Sequence, residues 1–181
     1  MALFTHELNY EMKPDPATVP GMAQVGEQSG AGEPRWLSPA EKEAWTGLVS
    51  LVLLLPGDLE AVLQRRAWLT LFEYLTLSHV SEAPGRRLRM GELAYLASGS
   101  PSRLSNVVGR LERRDLLRRY PDPEDGRRTM AELTDEGWER VQEAAPWHLR
   151  SVREHVLDRL DDDDVAALAR LAAKLGAHLP S

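Results

Sequence analysis

The amino-acid sequence predicts a mainly α-helical fold with one small β-wing, and three observations predict it. Apolar residues recur at intervals of three and four along most of the chain after residue 36. Ser-x-x-Glu and Thr-x-x-Glu signatures open two of these stretches, and the period shortens to strand-like runs around one Pro/Asp/Gly loop. At 181 residues the chain suffices for one hydrophobic core plus a tail and is too short for two independent catalytic domains. It has no cysteine, which excludes disulfides, thiolate zinc sites, iron–sulfur clusters and thiol nucleophiles or sensors. Uninterrupted apolar runs such as Leu51 to Pro56 fall short of the roughly 20 residues that cross a bilayer. The N-terminus also has no basic segment followed by an apolar one. A soluble cytoplasmic protein without a membrane partner is expected.

Residues 1–35 read as a tail, because Pro14, Pro16, Pro20, Gly21, Gly26, Gly30, Gly32 and Pro34 fall in a stretch with no sustained apolar period. Ser38-Pro39-Ala40-Glu41 then opens a helix with Trp45, Leu48, Val49, Val52 and Leu55 on one side. Pro56-Gly57-Asp58 is expected to break or kink it before a second stretch through Leu59, Val62 and Leu63. Thr70-Leu71-Phe72-Glu73 opens a short helix that ends before Pro84-Gly85.

Another short helix runs from Arg89 to about Leu96, and the Ser98-Gly99-Ser100-Pro101 turn starts the next, so the pair reads as a helix-turn-helix. In the second helix Leu104, Val107, Val108 and Leu111 must face a core. At 100° per residue this puts Ser102, Asn106, Gly109, Arg110 and Arg113 on the opposite side, with Arg103 at the flank. Leu116–Tyr120 and Arg128–Leu133 read as strands around the loop 121–127, a wing attached to the helix pair. Thr134 caps a long helix (Trp138, Val141, Leu149, Val152, Val156) that Pro146 should bend. A last helix after Asp161 carries Asp162, Asp163 and Asp164 at its positive end, and its Val165, Leu168, Leu171, Ala172, Leu175 and Leu179 form a nearly heptad seam. Charge is uneven: the whole chain is −6, yet residues 86–128 hold 11 basic against 6 acidic residues, a net +5. One cationic surface on acidic scaffolding is the reading, and a pI of 5.4 does not exclude DNA.

The order of elements resembles the MarR family of winged-helix repressors. The motifs that carry the resemblance are Thr70-Leu71-Phe72-Glu73-Tyr74, Leu88-Arg89-Met90-Gly91-Glu92-Leu93-Ala94, Asn106-Val107-Val108-Gly109-Arg110-Leu111-Glu112, Asp122-Pro123-Glu124-Asp125-Gly126-Arg127-Arg128 and Leu133-Thr134-Asp135-Glu136-Gly137. The match extends from about Trp36 to Leu179. It implies an obligate homodimer joined by its terminal helices, binding pseudo-palindromic double-stranded DNA and often released by a small ligand. One departure is Asp115, where the family usually has Gly ending the recognition helix; Asp can visit the left-handed region.

For the DNA interface, Arg103 and Arg110 can offer guanidinium forks to guanine or phosphates, and Asn106 has the donor–acceptor pair that suits adenine. Ser100, Ser102 and Ser105 lie on the same polar side; Ser100 and Ser102, with the helix-start N–H groups, suit phosphate. Arg127 at the wing tip is placed for a minor groove, held extended by Asp125 in the family's Asp-x-Arg pattern, while Arg128 touches the backbone. The family's ligand pocket lies between the dimer helices and the DNA-binding lobe. Trp45, Trp68, Phe72 and His79 are the candidates to line it around a small aromatic effector. His148 and His155, with Glu154 or Asp158 nearby, are a metal-like grouping, but such pairs are usually surface or core residues, so no metal and no cofactor are expected.

Both the first helix, apolar almost all round, and the last, with its seam, exceed what a domain of about 145 residues needs, so a twin subunit is expected to cover them. The expected division is a tail (1–35), an N-terminal dimerisation helix region (36–65), a winged helix-turn-helix (66–133) and C-terminal dimerisation helices (134–181). No Ser-His-Asp set or phosphate-cradling glycine loop is visible, so an enzyme is not expected. The rival reading is a winged-helix module that binds protein.

Overall fold

The computed structural model describes residues 35–97 and 100–177; the tail, the Ser98-Gly99 turn and Leu179 lie outside the described residues. The chain divides into a short unit ending at Ser38 and a main unit from Pro39 onward, which carries every element below. The architecture is mainly α with one small antiparallel sheet.

Helix α1 (Pro39–Ala67) begins where Ser38-Pro39 predicts but does not divide at Pro56. It runs through as one 29-residue helix, two residues past the expected border at 65. Proline removes one donor and crowds the preceding turn, a local fault that the helix carries across, with Leu53–Leu55 before it and Leu59–Val62 after it. Its uninterrupted apolar runs are as short as the sequence shows, but the helix as a whole is long. By length and composition α1 could cross a membrane, with mean hydropathy 1.7 over its best 18-residue window.

Helix α2 (Leu71–Glu82) starts on the capping box read from the sequence: Thr70 Oγ1 accepts the Glu73 N–H at 3.1 Å, and Glu73 Oε2 accepts the Thr70 N–H at 3.0 Å. Strand β1 (Arg87–Arg89) is unanticipated, because three residues are too few to establish a period. Helices α3 (Met90–Leu96) and α4 (Pro101–Arg113) form the helix-turn-helix, and β2 (Leu117–Pro121) and β3 (Thr129–Leu133) form the wing. The strand order is β1-β3-β2, antiparallel throughout, with Arg87 opposite Glu132 and Leu117 opposite Leu133. Pairing with β1 anchors the wing to the residues that lead into α3.

Helix α5 (Asp135–His155) is capped by Thr134, whose Oγ1 accepts the Gly137 N–H at 2.9 Å, and it continues through Pro146. Leu149, read as part of its apolar side, is exposed. Gly137 is required by contact: a Cβ there would collide with the Leu116 carbonyl oxygen. Helix α6 (Asp162–Gly176) opens on a second capping box, with Asp164 N–H donating to Asp161 at 2.8 Å.

The core sits in the winged lobe. Leu69, Leu77, Val80, Leu93, Leu104, Val108, Leu111, Leu116 and Leu117 are buried, joined by Leu63 and Ala67 from the end of α1 and Val141 and Ala144 from α5. All four residues predicted to be the inward face of α4 are in it.

Candidate nucleic-acid interface

The interface is built on α4. Ser100 caps it, its Oγ accepting the Arg103 N–H at 3.3 Å and lying 3.2 Å from the Ser102 hydroxyl. With Leu104, Val107, Val108 and Leu111 turned inward, Ser100, Ser102, Arg103, Ser105, Asn106, Arg110 and Arg113 are exposed on one lobe. Fixed apolar anchors hold the polar row in place, and the N-terminal N–H groups of α4 share that face. Arg103 sits over Phe72 of α2, its guanidinium carbon 4.2 Å from the ring centroid, which stiffens a long side chain without consuming its donors.

The arginines of this basic segment separate by which nitrogens they have committed. Arg118 gives Nε and a terminal nitrogen to Glu132, and Arg119 does the same to Glu112. Arg89 gives Nε to Asp122 at 2.7 Å and Nη2 to Glu124 at 3.1 Å. Arg118 ties β2 to β3, Arg89 ties β1 to the wing loop, and Arg119 ties β2 to α4. Arg119's hydrogen bond holds the Glu112 carboxyl below its ordinary pKa. The Asp122 carboxyl is held low first by the Glu124 backbone N–H and then by Arg89.

Arg110 and Arg127 are different. Among the described hydrogen bonds, the Arg110 side chain uses only Nε, on Glu73 Oε1 at 3.2 Å, and Arg127 uses only Nε, on Asp125 Oδ1 at 3.3 Å. Arg128 approaches the other oxygen of the same Asp125 at 3.2 Å. A guanidinium held only by Nε keeps both terminal nitrogens uncommitted, the fork that can grip guanine or phosphate. Arg127, at the tip of the wing, is 93% exposed. The loop is shaped by Asp122 N–H to Arg128 O at 2.9 Å and Arg128 N–H to Asp125 O at 2.8 Å.

The four residues named for an effector are not brought together within one chain. Trp45 is in the second turn of α1 and Trp68 lies just past its end, roughly 35 Å away along the helix at 1.5 Å rise per residue, and they are 58% and 75% exposed. Phe72 supports Arg103, and His79 lies two turns further along α2, half-buried. His155 Nδ1 is 2.8 Å from the Ser151 carbonyl oxygen, and the described residues hold no grouping of three metal-ligating side chains. Sequence reasoning missed Glu73 as a partner of α4 and the Arg89–Asp122 pair. The Thr-x-x-Glu signature announces only the cap, and partners 37 and 33 residues away leave no local trace.

Known proteins agree with this geometry. The MarR family profile matches residues 69–128, the lobe that carries α3, α4 and most of the wing. The transcriptional regulator HosA of Escherichia coli O111:H- is 32% identical over 107 residues, 59% of this chain and 77% of its own length. Among solved structures, the MarR-family regulator Sco3205 of Streptomyces coelicolor, determined in complex with DNA, is 38% identical with a TM-score of 0.79, over 82% of this chain and 93% of its own. AbsC, from the same organism, is 36% identical with a TM-score of 0.76, over 80% of this chain and 97% of its own. These relatives are transcriptional regulators, not enzymes, and the chain belongs with them in the MarR family.

Proposed function

We propose that the protein is a cytoplasmic homodimeric repressor that binds a pseudo-palindromic operator, with α4 in the major groove and the wing in the minor groove. The observation that carries this reading is the pair of exposed arginines, one on α4 and one on the wing tip, each tethered through Nε with no described hydrogen bond on its terminal nitrogens. Asn106 then stands for adenine, Arg103 and Arg110 for guanine or phosphate, and Ser100, Ser102 and Ser105 for register. Asp125 holds Arg127 extended and Arg128 meets the backbone. The exposed apolar surfaces of α1 and α6 support a twin subunit as their cover in preference to a membrane, because Leu63 and Ala67 of α1 are already part of the winged lobe's core.

The reading extends to release by a small aromatic effector. An open groove of about 620 Å³ between α2 and α5 is lined by Tyr74, His148, Leu149 and Val152. His148 rests against the Tyr74 ring at 4.5 Å, and its Nδ1 is buried with no hydrogen-bond partner. A largely apolar wall carrying a phenol ring and an imidazole supports an aromatic acid or phenol as its occupant.

The test is selection of duplexes from a random pool, then footprinting of the enriched sequence with and without aromatic acids. Two protected half-sites about one helical turn apart are expected. Arg127→Ala should lower the slope of log affinity against log salt by about one. An unchanged slope argues against the wing contact, and failure to enrich any duplex favours a protein-binding module.

A further inference from the structure

Glu73 sits where three parts of the molecule meet. Its side chain is 7% exposed, a burial that carboxylates accept only when paired. Oε2 takes the Thr70 N–H of the α2 cap and lies 3.5 Å from Arg114 Nη1; Oε1 takes Arg110 Nε. Arg114 in turn donates Nη2 to the Trp68 carbonyl at 2.8 Å, at a residue held in the left-handed region with φ 56. The cap alone needs one carboxylate oxygen. The second is directed at an exposed arginine on the outward face of α4.

We propose that Glu73 is a positioning residue that sets sequence specificity by locking the Arg110 fork in one orientation. The inference rests on the DNA reading above. An arginine pinned through Nε by a buried acid loses most of its rotamers before it meets a base, so a fork aimed at one base edge is ready-made. The same acid cancels part of the cation's charge, which restrains attraction to phosphates of any sequence. Without the tether the arginine remains on the surface as a mobile cation, better at meeting phosphate and worse at reading. Asp125 gives Arg127 the same treatment at the wing tip, but from an exposed loop, whereas Glu73 is seated in the lobe at the turn joining α1 to α2.

The test measures Glu73→Gln, Arg110→Ala, the double variant and Thr70→Ala on two probes: the duplex enriched by the wild-type protein and a scrambled duplex of equal length. Glu73→Gln should cut the ratio of enriched to scrambled affinity by roughly 5- to 50-fold, the discrimination expected of one bidentate base contact. It should also raise scrambled-duplex affinity and steepen its salt slope by up to about 0.9. In the Arg110→Ala background the same change should leave the ratio within about twofold. Thr70→Ala, which removes the cap and leaves the tether, should lower thermal stability and keep the ratio. A Glu73→Gln loss that is equal on both probes, or that persists without Arg110, overturns the inference, as does an Arg110→Ala protein that still discriminates fully. A wild-type protein that enriches no duplex sinks the DNA reading itself, and the inference with it.

Discussion

The winged lobe and the helices α1 and α6 solve the same problem in opposite ways. In the lobe, α4 turns four apolar residues inward and finds α2, the sheet and the start of α5 waiting for them. In α1, Trp45, Leu48, Leu51, Val52, Leu53 and Leu54 are between 41% and 72% exposed, and α6 buries none of its described residues. Four successive exposed apolar residues, Leu51 to Leu54, point all round the helix, so no single face of this chain could cover them. The contrast teaches that one region closes its core, whereas the other leaves a run of large apolar side chains open, of the kind that marks an interaction surface. A second copy is the cover we infer.

The largest effect is expected where the lobe has no slack. Gly137→Ala should cost about 3 kcal/mol or more, because the new methyl would have to displace the backbone carbonyl of Leu116, which also accepts the Thr134 N–H. Chemical denaturation measures it, and a loss below the cost of an ordinary surface change would show that this joint yields. Next comes the uncovered region: Leu168→Glu with Leu171→Glu should weaken self-association by at least about 100-fold while leaving the lobe folded, since exposed seam residues contribute to binding rather than to the core. Sedimentation across a concentration series reports it. An unchanged mass would mean that the α6 seam has another cover.

A smaller effect is expected inside the lobe, where α5 meets α2. Burial holds the His148 imidazole below its ordinary pKa. The unfolded chain therefore takes up the proton more readily, and the stability it contributes is complete above the unfolded-state value and lost as pH falls toward the folded one. The thermal midpoint should drop between roughly pH 7 and pH 5, and His148→Gln should flatten that part of the profile; an identical profile would locate the sensitivity elsewhere. Smallest is Asp115→Gly. Asp115 ends the recognition helix at φ 57, where a side chain is strained, so glycine should stabilise by up to about 1 kcal/mol. Equal midpoints in urea would show that the Asp strain is offset locally.

Local signals made much of the lobe legible. Leu104, Val107, Val108 and Leu111 declared the buried side of α4, both wing strands were found to within a residue, and Thr70, Thr134 and Asp161 marked helix starts. Asp115, of a residue type that can visit the left-handed region, sits there at φ 57. Three things were not legible. Pro56 looked like a break because its cost is local and known, whereas continuity depends on the turns either side. Strand β1 exists only because β3 offers it an edge. The Arg110–Glu73 and Arg89–Asp122 pairs join residues more than thirty positions apart.

Periodicity, caps and the Asp-x-Arg pattern were enough to establish the helices, the wing, the cationic segment and the family likeness, because each is a property of neighbouring residues. Folding settled which arginines are consumed by the structure and which are presented. A guanidinium's availability depends on which carboxylates the packed chain sets beside its nitrogens, and no spacing along the chain encodes that.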